Sequence, residues 1–209
     1  MTAPDEIVYI VDDDASVRTG LARLLRSAGY AVESFAAAAA FLDREHRAAV
    51  ACLVLDVRMP GLDGLALQAE LSARDAGLPI IFLTGHGDIP IYVAAMKQGA
   101  RDFLTKSVDE VVLLDAVRQA LQTHRESLSE RLAANVVQER LTSLTPRERE
   151  VLSWVIGGAL NKQIAAQLGI AEKTVKIHRG RVMEKMEASS AAALVSLCRQ
   201  AGIQPLHDA

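Results

Sequence analysis

Short apolar runs alternate with segments of helical period through more than half of the chain. Residues 7–11, Ile-Val-Tyr-Ile-Val, form an unbroken apolar run that stops at carboxylates. Val17, Leu21, Leu24 or Leu25, and Ala28 follow at helical spacing, and Gly29 ends that helix. Residues 31–35 predict a second strand, followed by an alanine-rich helix to about His46. Residues 51–55 predict a third strand and 65–74 a helix. Pro79 opens a fourth strand at 80–83, and 89–98 is helical. Residues 101–104 predict a short edge-like fifth strand before a helix that starts near Asp109. The expected strand ends at 11, 35, 56, 84 and 105 repeat at βα spacing. A doubly wound α/β domain follows, with a five-stranded parallel sheet covered by helices on both faces.

From Val108 to Thr145 there is neither Gly nor Pro. Leu114, Leu121 and Leu128 lie seven apart, and Leu128, Leu132 and Val136 four apart. One helix from 109 to about 140, roughly 48 Å long, fits this pattern. Two helices broken near Thr123 or Ser127 fit it as well. Gln122, His124, Arg125 and Glu126 are expected on the outside. Beyond it the tail is all helix. Thr145-Pro146-Arg147-Glu148 combines a cap residue, a proline at the first helical position and an acid in the first turn. Val151, Leu152, Val155 and Ile156 supply a buried face. Asn161 is expected to cap a short helix through Leu168, which Gly169 ends. A third helix runs from Glu172 to about Met186, and a fourth over 191–200 stops at Gly202. Paired short helices around a tight glycine turn are the helix-turn-helix pattern. The expected organisation is a sheet domain at 1–122, a helical linker at 123–143 and a four-helix domain at 144–209.

Composition sharpens this division. Half the residues are hydrophobic and 23% are charged, which excludes a largely disordered chain. The net charge of −3 is unevenly spread: residues 1–122 hold 11 Lys/Arg against 17 Asp/Glu, and residues 123–209 hold 12 against 9. An acidic body is joined to a mildly basic tail. The acidic start, Met1 to Glu6, lacks the basic region of a signal peptide, and no apolar run approaches 18 residues. A cytoplasmic location without membrane partners is expected. Cys52 and Cys198 admit a disulfide on paper, but two isolated buried thiols are the expectation for a cytosolic chain.

In an open parallel sheet, groups at the carboxyl ends of the strands converge on one crevice. Asp12-Asp13-Asp14 arrive there after the first strand, Asp56 after the third, Thr84 after the fourth and Lys106 after the fifth. Carboxylates packed this closely repel each other, and a hard cation relieves the repulsion. Magnesium, with its preference for oxygen ligands, suits the site.

Val11-Asp12-Asp13, the run Leu55-Asp56-Val57-Arg58-Met59-Pro60-Gly61-Leu62-Asp63-Gly64, Thr84-Gly85, Phe103 and Lys106 resemble the receiver domain of two-component response regulators. The resemblance covers residues 7–120. It implies that Asp56 accepts a phosphoryl group from the phosphohistidine of a sensor histidine kinase. It implies Mg2+ held by Asp13 directly, by Asp12 through water, by Asp56 and by the carbonyl of Arg58. Lys106 would offset phosphoryl charge, while Thr84 and Phe103 would form the switch, with Gly85 and Gly87 freeing the responding loop. Asp14 stands outside the matched pair and is expected at the start of the first helix. Two departures stand out. Ser107 follows Lys106 where the family usually has a proline after a cis bond, so a trans bond is expected. Arg58 is a bulky cation two residues past the acceptor, placed to shield an acyl phosphate from water or to reach the phosphoryl group directly.

Leu144-Thr145-Pro146-Arg147-Glu148-Arg149-Glu150-Val151-Leu152, then Asn161-Lys162-Gln163-Ile164-Ala165, then Thr174-Val175-Lys176-Ile177-His178 resemble the LuxR-type DNA-binding domain of the NarL/FixJ branch. The resemblance spans 144–203. It implies Lys176, Ile177 and Gly180 at base edges, and Lys162, Thr174, Arg179, Arg181 and Lys185 at phosphates. Residues 161–185 carry six cations against Glu172 and Glu184, consistent with such a role. Val175 and Val182 are expected in the core, and Glu148 and Glu150 in internal salt bridges. Gly180 departs from the family, where a side chain often reads a base. Glu187 stands where a glycine is usual, so an altered turn is expected there.

Together these features imply a phosphorylation-dependent transcription activator. It would dimerise when phosphorylated, bind promoter double-stranded DNA and have RNA polymerase as a further candidate partner. No enzymatic turnover beyond self-phosphorylation and slow self-dephosphorylation is expected. Two rivals differ in class. A magnesium-dependent phosphohydrolase would need a second acid at the position of Arg58. A constitutive DNA-binding protein would use the sheet domain only as an interaction module.

Overall fold

The apolar runs become strands because both of their faces find cover. β1 (Glu6–Val11), β2 (Ala31–Phe35), β3 (Val50–Asp56), β4 (Ile80–Thr84) and β5 (Asp102–Thr105) form one sheet in the order β2-β1-β3-β4-β5. Every neighbouring pair is parallel. The computed structural model describes residues 6–44, 50–74, 77–85 and 89–204. The strands are followed by α1 (Ala15–Ser27), α2 (Ala38–Leu42), α3 (Gly64–Ala73), α4 (Ile89–Lys97) and α5 (Glu110–Thr142). Side chains alternate across each strand, so β1 feeds two cores. Val8 and Ile10 pack with Leu25 of α1 and Leu113, Val117 and Leu121 of α5. Tyr9 and Val11 pack with Phe41 of α2 and Leu67 of α3. Each fully buried Leu, Ile or Phe contributes about 1.5–3 kcal/mol. This is the doubly wound arrangement expected from the βα spacing. The alanine-rich helix ends at Leu42 with Asp43 as its C-cap, short of the expected end near His46, and the loop glycine Gly87 lies outside the described residues.

Two local features aim the crevice. The Asp14 carboxylate accepts from the backbone N–H of Ser16 and Val17, so it caps α1 where the β1 carboxylates end. Gly64 opens α3 where a Cβ would lie 2.3 Å from the carbonyl oxygen of Asp56. Only glycine lets α3 start this close to β3.

His124 corrects an expectation. Its polar neighbours predict an outside position, yet it is only 7% exposed. Its Nδ1 accepts the N–H of Ala51 at 2.8 Å. A buried amide at the start of β3 needs an acceptor, and the imidazole supplies it from 73 residues away. The rest of that segment is a single helix: α5 runs unbroken for 33 residues, through the two candidate break points.

The chain divides into two compact units, residues 1–128 and 129–209, and the division falls within α5. The second unit contains α6 (Pro146–Ile156), α7 (Asn161–Leu168), α8 (Glu172–Lys185) and α9 (Ala191–Gln200). Its core joins Val151, Ile164, Val175, Val182, Met186 and Leu194 with Val137, so the end of α5 belongs to it. Thr145 and Glu148 form a reciprocal capping box on α6. Asn161 does not cap α7. Leu160 holds that position, and the Gln163 side chain accepts its N–H at 2.7 Å. Gly169 turns the chain at φ 64° between α7 and α8. Glu187 closes α8 at φ 51°, so the turn keeps left-handed backbone without a glycine. Arg140 reaches the Glu187 carboxylate and donates to the Met186 carbonyl. Cys52 and Cys198 are both free and buried, and burial pushes the Cys52 thiol up to about 12.

Glu148 is the polar centre of this second core, only 2% exposed. Its carboxylate accepts from Lys185 Nζ at 2.7 Å and from the Thr145 N–H at 2.9 Å. Lys185 first, and then the Thr145 amide, hold this carboxyl at about 2, below its ordinary 4.5. A carboxylate with a lowered folded pKa adds stability that is present above 4.5 and is lost as pH falls through about 2. Glu148→Gln is therefore expected to destabilise this unit by about 1–3 kcal/mol at pH 7. It should also flatten the loss of stability between pH 4.5 and about 2. Urea unfolding of the full chain followed by Trp154, the single tryptophan, measures both effects.

Candidate functional site

The parallel sheet delivers its polar residues to one edge. Asp12 and Asp13 follow β1, Asp56 and Thr84 end β3 and β4, and Lys106 follows β5. Asp12, Asp56 and Thr84 are 1%, 6% and 3% exposed, while Asp13 lies in the open. The Lys106 ammonium lies 2.8 Å from Asp12 Oδ2 and 2.8 Å from Asp56 Oδ2. Burial alone would lower the Lys106 pKa. The two carboxylates outweigh that and hold it above its ordinary value, so the ammonium is charged at neutral pH.

The remaining contacts orient the acids. Asp12 Oδ1 accepts the Asp14 N–H at 2.8 Å, and Asp56 Oδ1 faces the Arg58 N–H at 3.4 Å. One carboxylate oxygen each from Asp12, Asp13 and Asp56 falls within 4.8 Å of the others. Three carboxylates against one ammonium leave a surplus of negative charge and a set of hard oxygen donors. That chemistry fits a divalent cation of the magnesium type. The Lys106–Ser107 peptide bond is trans. Lys106 N–H donates to the Thr84 carbonyl at 2.7 Å, which ties the lysine loop to the end of β4.

Phe103 is partly buried in β5. Its ring lies 5.9 Å from that of Phe82 and 5.5 Å, edge-on, from that of Tyr92 in α4. Arg18 was not anticipated. From the second turn of α1 its Nη1 donates to the Asp12 carbonyl at 2.7 Å. Its sequence signal is weak: a cation six residues past an acid, facing back along a capped helix.

On the second unit, α7 and α8 present the basic surface. Lys162, Lys176, Ile177, Gly180 and Arg181 are exposed, and Thr174 is partly so. Val175 and Val182 turn into the core at 0% exposure. Arg179 bends back to Asn161 Oδ1 at 3.0 Å. Lys185, expected at a phosphate, is partly exposed on α8. Its ammonium is engaged by Glu148 at 2.7 Å and by the Ser143 carbonyl at 2.9 Å. Glu148 is thus in the internal salt bridge expected for it, and Glu150 pairs with Arg147.

Residues 8–118 match the response regulator receiver domain, and residues 142–198 match the bacterial regulatory proteins of the luxR family. The chain belongs to the two-component response regulators. Among members of this family, it is 46% identical to the transcriptional regulatory protein FixJ of Azorhizobium caulinodans, over 97% of this chain and 96% of that one. Nodulation protein W of Bradyrhizobium diazoefficiens is 47% identical, over 96% and 88% of the two chains. Among solved structures of response regulators, StyR matches with a TM-score of 0.83 at 49% identity, covering 94% of this chain and all of that one. Full-length FixJ from B. japonicum matches at 0.58 and 41% identity, over 96% and 98% of the chains. A phospho-aspartate receiver coupled to a LuxR-type DNA-binding domain is the organisation of a phosphorylation-activated regulator, and this chain has both halves.

Removing the Lys106 ammonium should leave two buried carboxylates facing each other. Lys106→Ala is expected to lower the stability of the receiver by about 2 kcal/mol at pH 7. Added Mg2+ should raise the calorimetric midpoint of this variant more than that of the parent chain, because the cation no longer competes with the lysine. Equal Mg2+ increments in the two proteins would show that Lys106 is not what restrains the site.

Proposed function

We propose that this response regulator controls transcription by accepting a phosphoryl group on Asp56 from a sensor histidine kinase. The observation that carries the proposal is the Lys106 ammonium placed 2.8 Å from both Asp12 and Asp56, beside an oxygen-donor cluster. Asp12, Asp13 and Asp56 would hold Mg2+, with the Arg58 carbonyl as a further donor. Bound there, the ion would offset charge on the transferring phosphoryl group.

The chain's own residues account for the rest. A carboxylate oxygen of Asp56 forms the new bond to phosphorus as the phosphorus–nitrogen bond of the donor phosphohistidine breaks. The departing imidazole keeps that electron pair and takes up a proton. The work is positioning and charge compensation, which Lys106 supplies without a proton transfer. The acyl phosphate adds charge and acceptor oxygens beside β4. The Thr84 hydroxyl, at the end of that strand, is the nearest switch element, and Phe103 packs on the neighbouring one. Arg58 at the mouth of the site shields the acyl phosphate from water.

In the second unit, Lys176 and Ile177 face base edges, and Lys162, Thr174, Arg179 and Arg181 contact phosphates. One copy covers a half-site, so phosphorylation acts by favouring a homodimer on promoter DNA, in position to engage RNA polymerase. No helix among the described residues is long and apolar enough to cross a membrane. We place the protein in the cytoplasm.

Acetyl phosphate with Mg2+ tests the scheme directly. Intact mass should rise by one phosphoryl group in the parent chain and remain unchanged in Asp56→Asn. Affinity for a duplex recovered from a random pool should rise about tenfold or more on labelling, and only in the parent. Labelling without any change in DNA affinity would leave a constitutive DNA-binding protein.

A further inference from the structure

The exposed face of α8 contains a glycine that the fold does not require. Lys173, Lys176, Ile177, Gly180, Arg181 and Glu184 form one exposed stripe, opposite Val175, Val182 and Met186 in the core. Gly180 lies in the middle of this stripe, well inside a 14-residue helix. Its backbone is ordinary right-handed helix, since it is absent from the positive-φ glycines. A Cβ built there meets nothing within 4 Å, so no packing demands its absence. Gly64 shows the opposite case, where backbone lies 2.3 Å from the missing Cβ. At 180, glycine weakens the helix and gives nothing back inside the chain.

What remains is the space outside. Without a side chain, the α8 backbone itself is the surface at the centre of the stripe. Ile177 one turn earlier is 50% exposed, and Lys176 and Arg181 flank the pair on the same face. We propose that Gly180 is a close-approach residue. Its missing side chain lets the helix backbone sit against base-pair edges on the floor of a major groove, and so sets the depth and register at which Lys176 and Ile177 meet the bases. This inference rests on the DNA-binding role proposed above. It assigns Gly180 a positive function, in place of a base contact simply left out.

The two possibilities separate cleanly. If the position is merely vacant, a methyl group is harmless and a long polar side chain gains a contact. If the backbone must approach closely, any Cβ holds the helix away. The test uses full-length, acetyl-phosphate-treated protein and a duplex selected from a random pool by the parent chain. Gly180→Ala should raise the unfolding midpoint reported by Trp154 by about 4–8 °C. It should nonetheless weaken binding to the selected duplex by roughly tenfold, the scale of a lost base-pair contact. Gly180→Leu should weaken it further. Gly20→Ala, in an equally open helical position of α1, should leave DNA affinity unchanged.

Unchanged or tighter binding by Gly180→Ala, with the parent binding normally, would overturn the close-approach role. If the parent itself selected no duplex, the DNA-binding proposal would fail first. A variant more stable but weaker on DNA cannot be explained by misfolding.

Discussion

One ammonium group shared by two buried carboxylates organises the crevice. Lys106 follows β5, Asp12 follows β1 and Asp56 ends β3, so the bridge exists only when the strands lie in the order observed. Like charges about 4 Å apart repel by about 4 kcal/mol at an effective dielectric of ~20. The lysine removes much of that penalty and fixes the direction in which Asp56 presents its free edge. It does not neutralise the cluster: two carboxylates already outnumber one ammonium, and Asp13 adds a third from the exposed side. The residual negative charge suits the site to a divalent ion, and the lysine offsets part of the repulsion between the two buried acids.

The second unit contains another lysine–carboxylate pair that has no such capacity. Glu148 is met by Lys185 and by the Thr145 amide, and Lys185 also donates to the Ser143 carbonyl. The acid and base balance, and their hydrogen bonds are used within the chain. Such a pair ties α6 to α8 and has no charge left for a ligand. The contrast separates a structural ion pair from a reactive one: surplus charge and an open side, rather than burial alone.

The same contrast explains what could be read from the amino-acid order. Lys106 and Asp56 lie 50 residues apart, yet their meeting was legible because a parallel sheet brings every strand's carboxyl end to one edge. The strands were legible too, since Val8 to Val11 are apolar at every position and both faces are covered. No comparable rule joins Lys185 to Glu148, 37 residues away, or His124 to the Ala51 amide. Helical period averages a face and cannot say that one imidazole on a polar stretch is needed inside. Arg18 is illegible for a related reason: its partner is a backbone carbonyl, which sequence does not display. The turn at Glu187 shows the limit of residue preference. A non-glycine residue holds φ 51° there, with Arg140 anchoring both its carboxylate and the preceding carbonyl.

Counting charges along α7 and α8 overstates what a duplex would meet. Of the six cations between 161 and 185, Lys185 is held by Glu148 and Arg179 is drawn to Asn161. Lys162, Lys173, Lys176 and Arg181 remain exposed, with Glu172 and Glu184 beside them. Lys162, Arg179 and Arg181, the three cations proposed at phosphates, correspond to a log affinity that falls by roughly 3 per decade of salt, a modest grip for one copy. A surface this lightly charged depends on the second copy for useful affinity at physiological salt. On the proposed function, a phosphorylation-favoured homodimer would supply that second copy.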